Sequence, residues 1–486
     1  MVHALIFFNA QLFSHAFGQR YELPIPLVLF VLGGAAIVLA SFLLIASRVV
    51  KKSTATREGD QTHIRNLSLI PTFISFIAFA AFVATGLFGS QTVAENIVPT
   101  LFWLIIWIAV PLSCGLIGDW TQSLNPISNI AKLADNAWLR RKVLTRTEPL
   151  RWPSWLGWWP AVLLFFVIAC GELVFNLTAT LPAVTAGVLL GYFILSSFLG
   201  FLYGQAWLER GEVFTVLFAT WGRLGFYRFG ARGERGLAKG LVVPFEASIS
   251  RTAFVLLLLV SVGFDGLTAT PAWSNFQHSL PSGISAGTGA YLALATGIFA
   301  GLAIVMWCAF LLFAEAVKRI GKHSGNNITA LAGLLPSLLP ISFGYLLAHN
   351  IQYVVVNSQL LFPLIGNPVG RESWPIHLPY PFSDVFEPNI HIFSSSFYWY
   401  FSVVVIIVVH IIAVIIAHRH LGSTSKQKQE VAVARRSEYP WILAMVVYTM
   451  FSLWLLAQPL VKEKTGDSTS FIKTRPPVSL DNYNLT

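Results

Sequence analysis

Tyr398-Trp-Tyr-Phe-Ser-Val-Val-Val-Ile-Ile-Val-Val-His-Ile-Ile-Ala-Val-Ile-Ile-Ala417 carries one histidine and no charged residue. The hydrocarbon core of a bilayer takes about 20 apolar residues per helix, so this stretch reads as a transmembrane span. Before it, similar runs occupy Pro24–Ala46, Ser68–Gly89, Val98–Gly118, Leu156–Phe175 and Pro182–Tyr203. Thr252–Thr270, Ala290–Ala314, Ile328–Ala348 and, after it, Trp441–Gln458 complete the set, and the run from Ile328 extends as far as Asn357. The sequence therefore predicts an all-α, polytopic bundle of about ten spans.

Composition agrees. The chain is 55% hydrophobic and only 11% charged, against about a quarter charged in soluble domains. Its 16 Trp and 38 Phe suit aromatic belts at the two interfaces. The net charge of +10 does not mark a nucleic-acid binder, because the basic residues sit in short loops between apolar runs. If the amino terminus is outside, the inner loops hold Arg48, Lys51 and Lys52, then Arg140, Arg141 and Lys142, then Arg210, Arg223 and Arg251. Lys318, Arg319, Arg435 and Arg436 follow the same rule. Only Arg20, Arg371, Lys462, Lys464, Lys473 and Arg475 fall on the other side, so both termini are expected outside the cytoplasm.

Residues 1–460 then form the bundle, with a Pro- and aromatic-rich outer loop at 360–397 that suits a cap over an outward cavity. Residues 461–486 read as a flexible extracytoplasmic tail. Met1–Ala16 makes a poor signal peptide because it lacks a basic start. Cys114, Cys170 and Cys308 each lie in an apolar run and read as small core residues. The motifs Gly200-x-x-x-Gly204 and Gly297-x-x-x-Gly301 read as small-residue packing faces. The stretch Val213–Leu224 reads as an interfacial amphipathic helix, followed by an Arg- and Gly-rich segment set against anionic headgroups.

Ionisable side chains inside a span are costly, which makes each a candidate for function. Glu172, Asp265, His349 and His410 are of this kind, with Asp119, Glu315 and His418 at cytoplasmic ends. Depth places Glu172, Asp265 and His349 toward the outer leaflet with His15, and His410 near the middle. Pro336 and Pro340 predict a broken helix beside a lined cavity. Beyond them Tyr345, His349 and Tyr353 share one helix face. Neutral imidazoles with carboxylates suit Zn or another divalent cation acting as a Lewis acid. A haem reading would use His410 and His418, about 12 Å apart along the axis. His418-Arg-His420 reads as solvated surface. No Walker loop, H-E-x-x-H, G-x-S-x-G elbow or dinucleotide fingerprint occurs.

Several segments together resemble one family. They are Ser14-His-Ala-Phe-Gly-Gln-Arg-Tyr-Glu-Leu-Pro-Ile-Pro26, Gly118-Asp-Trp-Thr-Gln-Ser-Leu-Asn-Pro126, Gly211-Glu-Val-Phe-Thr215 and Phe264-Asp-Gly-Leu267. Ala348-His-Asn350, Val409-His-Ile-Ile-Ala-Val-Ile-Ile-Ala-His418 and Ser437-Glu-Tyr-Pro440 continue the series. In this order they are similar to bacterial membrane proteins identified as fenitrothion hydrolases. The resemblance implies a phosphotriesterase of the bacterial inner membrane, working on lipophilic substrates and forming one subunit of a heteromer. Such chemistry needs an activated water and an electrophile at phosphorus. The expected arrangement has a divalent metal on His15, Asp265, His349 and His410, with Glu172 and Asp265 as the catalytic carboxylates. Two other classes fit the same polar set: a transporter or channel for a small solute or metal ion, and a non-catalytic, haem-carrying membrane subunit.

Overall fold

The computed structural model describes residues 21–22, 26–46, 64, 66–227, 239–322, 325–423 and 428–462. His15, the stretch Met1–Ala16, the segment 228–238 and the tail from 463 onward lie outside the described residues. The main helices are α1 (Leu27–Ala46), α2 (Leu69–Phe88), α3 (Ile97–Ile117), α4 (Pro126–Ala134), α5 (Trp159–Leu173) and α6 (Pro182–Tyr203). They continue with α7 (Val213–Gly222), α8 (Ile249–Thr268), α9 (Gly289–Gly321), α10 (Asn327–Asn357), α11 (Ser395–Ser423) and α12 (Lys428–Leu460).

Eight helices among the described residues are long and apolar enough to cross a membrane: α2, α3, α6 and α8 through α12. The other two expected spans appear as shorter apolar helices, Leu27–Leu43 within α1 and Trp159–Leu173. Tyr21–Glu22 pairs in parallel with Val461–Lys462, so the two ends of the bundle share one face. That requires an even number of crossings. We call this the terminal face and the opposite one the basic face.

Burial sorts the helices into layers. In α10 and α8, 83% and 78% of the most apolar window is buried, against 17% in α2 and α9. α8 and α10 therefore form the centre, and the apolar surface of α2, such as Leu69, Ile70 and Phe73, is left for lipid. α1, α11 and α12 pack together beside α10, while α2, α4 and α6 pack on one another as a separate group.

α10 corrects the expectation of a broken helix, since it runs through Pro336 and Pro340 for 31 residues without interruption. Pro336 has no N–H for the carbonyl of Ala332, and that carbonyl instead accepts from the Phe245 amide at 3.1 Å. Surrounding protein has taken over the released group. α7 is a second correction. Its side chains from Val213 to Phe218 are buried, so it enters the bundle against α3 and α5 instead of lying at an interface. Cys308 is exposed, unlike Cys114 and Cys170, and so is not a core residue.

The two glycine motifs behave differently. A Cβ at Gly200 would lie 2.6 Å from the backbone Cα and O of Ala131, whereas Gly297 and Gly301 have nothing within 4 Å. Gly200 thus sets the approach of α6 to α4, and the second motif makes no such contact. Gly200→Ala is expected to cost about 1–3 kcal/mol through a forced backbone shift. Gly297→Ala should leave stability unchanged or slightly raised, because alanine favours the helix. Thermal unfolding of both variants in detergent checks the contrast, and equal melting points would refute it.

Candidate functional site

α8 and α10 hold the central pair of the site. Asp265 stands in the last turn of α8, and His349 lies on α10 at the corresponding level. His349 Nε2 is 3.0 Å from Asp265 Oδ2, with the imidazole 1% and the carboxylate 14% exposed. One helical turn along α10 in either direction come Tyr345, whose ring centroid is 6.1 Å from that of His349, and Tyr353. The shared face expected from the sequence is therefore present.

Glu172 near the end of α5 supplies the second carboxylate. Trp107 Nε1 donates to Glu172 Oε2 at 2.5 Å. Trp107 belongs to a segment of α3, Thr100–Ala109, wound as a π-helix, with the Val110 amide reaching back five residues to Ile105. Such winding is rare and frequently found at functional sites. Here it carries Trp103, Trp107 and Ile108 onto the cavity wall.

The cavity has two adjoining parts, of about 40 and about 100 Å³. Glu172, Asp265 and Asn350 line both. The smaller part is otherwise largely apolar, and its walls include Leu217 and Trp221 from α7. The larger part adds Asn176, Thr180, Thr268 and Tyr353. A water needs about 10–15 Å³ measured this way, so the space suits several waters or one small ion. Asp265 faces this space, and His349 stands behind it.

Of the other expected ligands, His15 lies outside the described residues and His410 goes elsewhere. His410 on α11 is 1% exposed, and its Nδ1 donates to the Ile406 carbonyl at 2.7 Å. Among the described residues, no three of His, Cys, Asp and Glu come together as a metal's ligand set. His410 thus does not join Asp265 and His349 as a third ligand. His418 is buried and lies 2.9 Å from Glu438 Oε1, which corrects the reading of a solvated surface. Its neighbour His420 packs against Gly333 of α10.

Three buried charges near the basic face were not legible as such. Glu212 caps α7, accepting from the Phe214 and Thr215 amides at 3.1 and 2.7 Å and from the Tyr192 hydroxyl at 2.7 Å. Arg251 is 2% exposed, with its guanidinium 4.1 Å from the Trp158 ring, and donates to Thr220 Oγ1 at 3.1 Å. Arg140 is paired with Asp135 Oδ1 at 2.6 Å. Asp119 lies just beyond α3, after Gly118 whose φ of +123° suits only glycine. Burial raises the Asp119 carboxyl above its usual range, although Gln122 and Thr121 donate to it and pull it back. These groups hold the basic face together and do not touch the cavity.

Comparison of the chain with family models, curated proteins and solved structures returns no match.

Proposed function

We propose that the protein is a membrane-embedded hydrolase whose chemistry takes place in the cavity walled by Glu172 and Asp265. The observation that carries this reading is the Asp265–His349 pair standing behind a polar cavity of water-holding size. Asp265 takes the proton of an attacking water. His349 fixes the orientation of that carboxylate and so acts as a positioning residue. Glu172, held by the Trp107 indole, is the second carboxylate on the path of the proton. The family resemblance supports neutral aryl (thio)phosphate triesters such as fenitrothion as the substrate class. Their phenolate departs without an acid, which fits a site rich in carboxylates. The bilayer would concentrate such lipophilic molecules, and the resemblance adds the bacterial inner membrane and a second membrane subunit to the reading.

Cavity size favours a second reading. An aryl triester is far larger than about 100 Å³, so in the hydrolase reading only its phosphorus enters and the apolar groups stay at the mouth. The same space and its two carboxylates suit passage of a small cation without change of size.

One preparation tests both. The full chain in lipid nanodiscs is mixed with fenitrothion, and release of the nitrophenolate is followed by absorbance, with and without EDTA. Turnover above buffer is expected, and its loss on chelation would add a metal to the mechanism. Absence of turnover, together with divalent-cation uptake by proteoliposomes that Glu172→Gln abolishes, would replace the hydrolase with the transport reading.

A further inference from the structure

Beside the cavity, toward the middle of the bundle, four helices bring buried hydroxyl and imidazole groups together. Gly266, the residue after Asp265 on α8, receives the Tyr345 hydroxyl: a Cβ there would lie 2.4 Å from Tyr345 Oη. One turn earlier a Cβ at Gly263 would lie 3.9 Å from Tyr448 Oη of α12. Gly344 of α10 comes so near α11 that its Cβ would meet Val409 at 2.5 Å. Tyr345 and His410, the next residues on the two helices, therefore lie at one level. The Tyr448 and His410 ring centroids are 6.5 Å apart, which closes the series.

Tyr345 and His410 are each 1% exposed, and Tyr345 Oη and His410 Nε2 have no hydrogen-bond partner among the described residues. The hydroxyl of Ser342, three residues before Tyr345 on α10 and 2% exposed, shares that property. Buried hydroxyls are normally bonded to protein or to ordered water, and one left without a partner costs about 1–3 kcal/mol. Polar atoms of this kind, near one another and without protein partners, are the groups that internal water satisfies. His410 Nδ1 donates to the Ile406 carbonyl, so Nε2 is the nitrogen that accepts a proton.

We propose that these groups form a hydrated proton path leading from Asp265 at the cavity, past Tyr345 and Tyr448, to His410 in the middle of the bundle. Each hydroxyl or water along it accepts one proton and passes on another, so none changes charge. Only the ends do: a protonated Asp265 becomes a carboxylate as its proton enters the path, and His410 Nε2 takes the proton in passing, since a buried imidazolium without a counter-charge is costly. The path gives the cavity carboxylate an internal acceptor for its proton, and it does so whether the cavity hydrolyses a substrate or passes a cation.

The test is hydroxyl-radical labelling by X-ray radiolysis of the full chain in lipid nanodiscs, read residue by residue by mass spectrometry. Radicals generated from water inside a protein label the side chains beside it. Tyr380, which is 73% exposed, is the wet reference, and Tyr192, buried and bonded to Glu212, is the dry one. Tyr345, Tyr448 and His410 are expected to label within about tenfold of Tyr380 despite their burial. Labelling of all three at the level of Tyr192 would overturn the proposal. In Tyr345→Phe, labelling at Tyr448 and His410 should fall at least about fivefold while Tyr380 stays constant. If both keep the wild-type value, the route through Tyr345 is wrong. The wild-type comparison decides the matter alone if that variant does not fold.

Discussion

Glu212→Ala is expected to cost about 3–5 kcal/mol, the largest stability loss of any single substitution discussed, because it dismantles a fully buried acceptor. The carboxylate is 0% exposed and serves two backbone amides and the Tyr192 hydroxyl. Thr215 Oγ1 also donates to it, at 2.5 Å. Alanine would strand all of these donors in the interior at once, and α7 would lose its cap. Since Leu217 and Trp221 of α7 line the cavity, the site would loosen with it. Glu212→Gln keeps an oxygen for Tyr192 but turns an amide NH2 toward other donors, so its loss should be intermediate. Thermal unfolding in detergent, followed by tryptophan fluorescence, reads the series. A melting point for Glu212→Ala within about 2 °C of wild type would show that the network is dispensable.

That residue also shows where reading from sequence stops. Apolar runs are visible because lipid imposes length and composition on each span separately, and every expected span corresponds to a helix. Burial of a charge depends on what packs around it, which no local pattern states. Arg251 and Arg140 count as loop cations by position, yet each is enclosed, one by aromatic rings and the other by Asp135. α7 is similar: an apolar run of ten residues between basic loops suits an interface as well as an interior, and the Glu212 cap decides. Within the site, depth along each span brought Asp265 to His349 correctly. His410 was drawn into the same set because depth along a span says nothing of helix rotation or lateral position. The indoles of Trp103 and Trp107 were missed for a related reason. Their place on the wall follows from the π-winding of α3, and an apolar run carries no sign of it.

Asp265→Asn should remove triester turnover almost entirely, lowering kcat/KM by about 10²–10⁴-fold, the range that a positioned general base contributes. Asparagine has the size of aspartate and can still accept from His349, so the fold and the melting point should stay near wild type. His349→Gln tests the supporting role. It leaves the base in place but loosens its orientation, and a loss of about 10–100-fold, as for other groups that orient a reacting residue, is expected. Both losses should fall on kcat with KM little changed, because the proton moves only as the water attacks. Glu172→Gln separates the readings further. If the second carboxylate handles the same proton, the Asp265→Asn and Glu172→Gln losses will not add in the double variant, since one broken step cannot be broken twice. If the two carboxylates instead form a cation site, both single variants will abolish divalent-cation uptake, and turnover will be missing in the wild type as well.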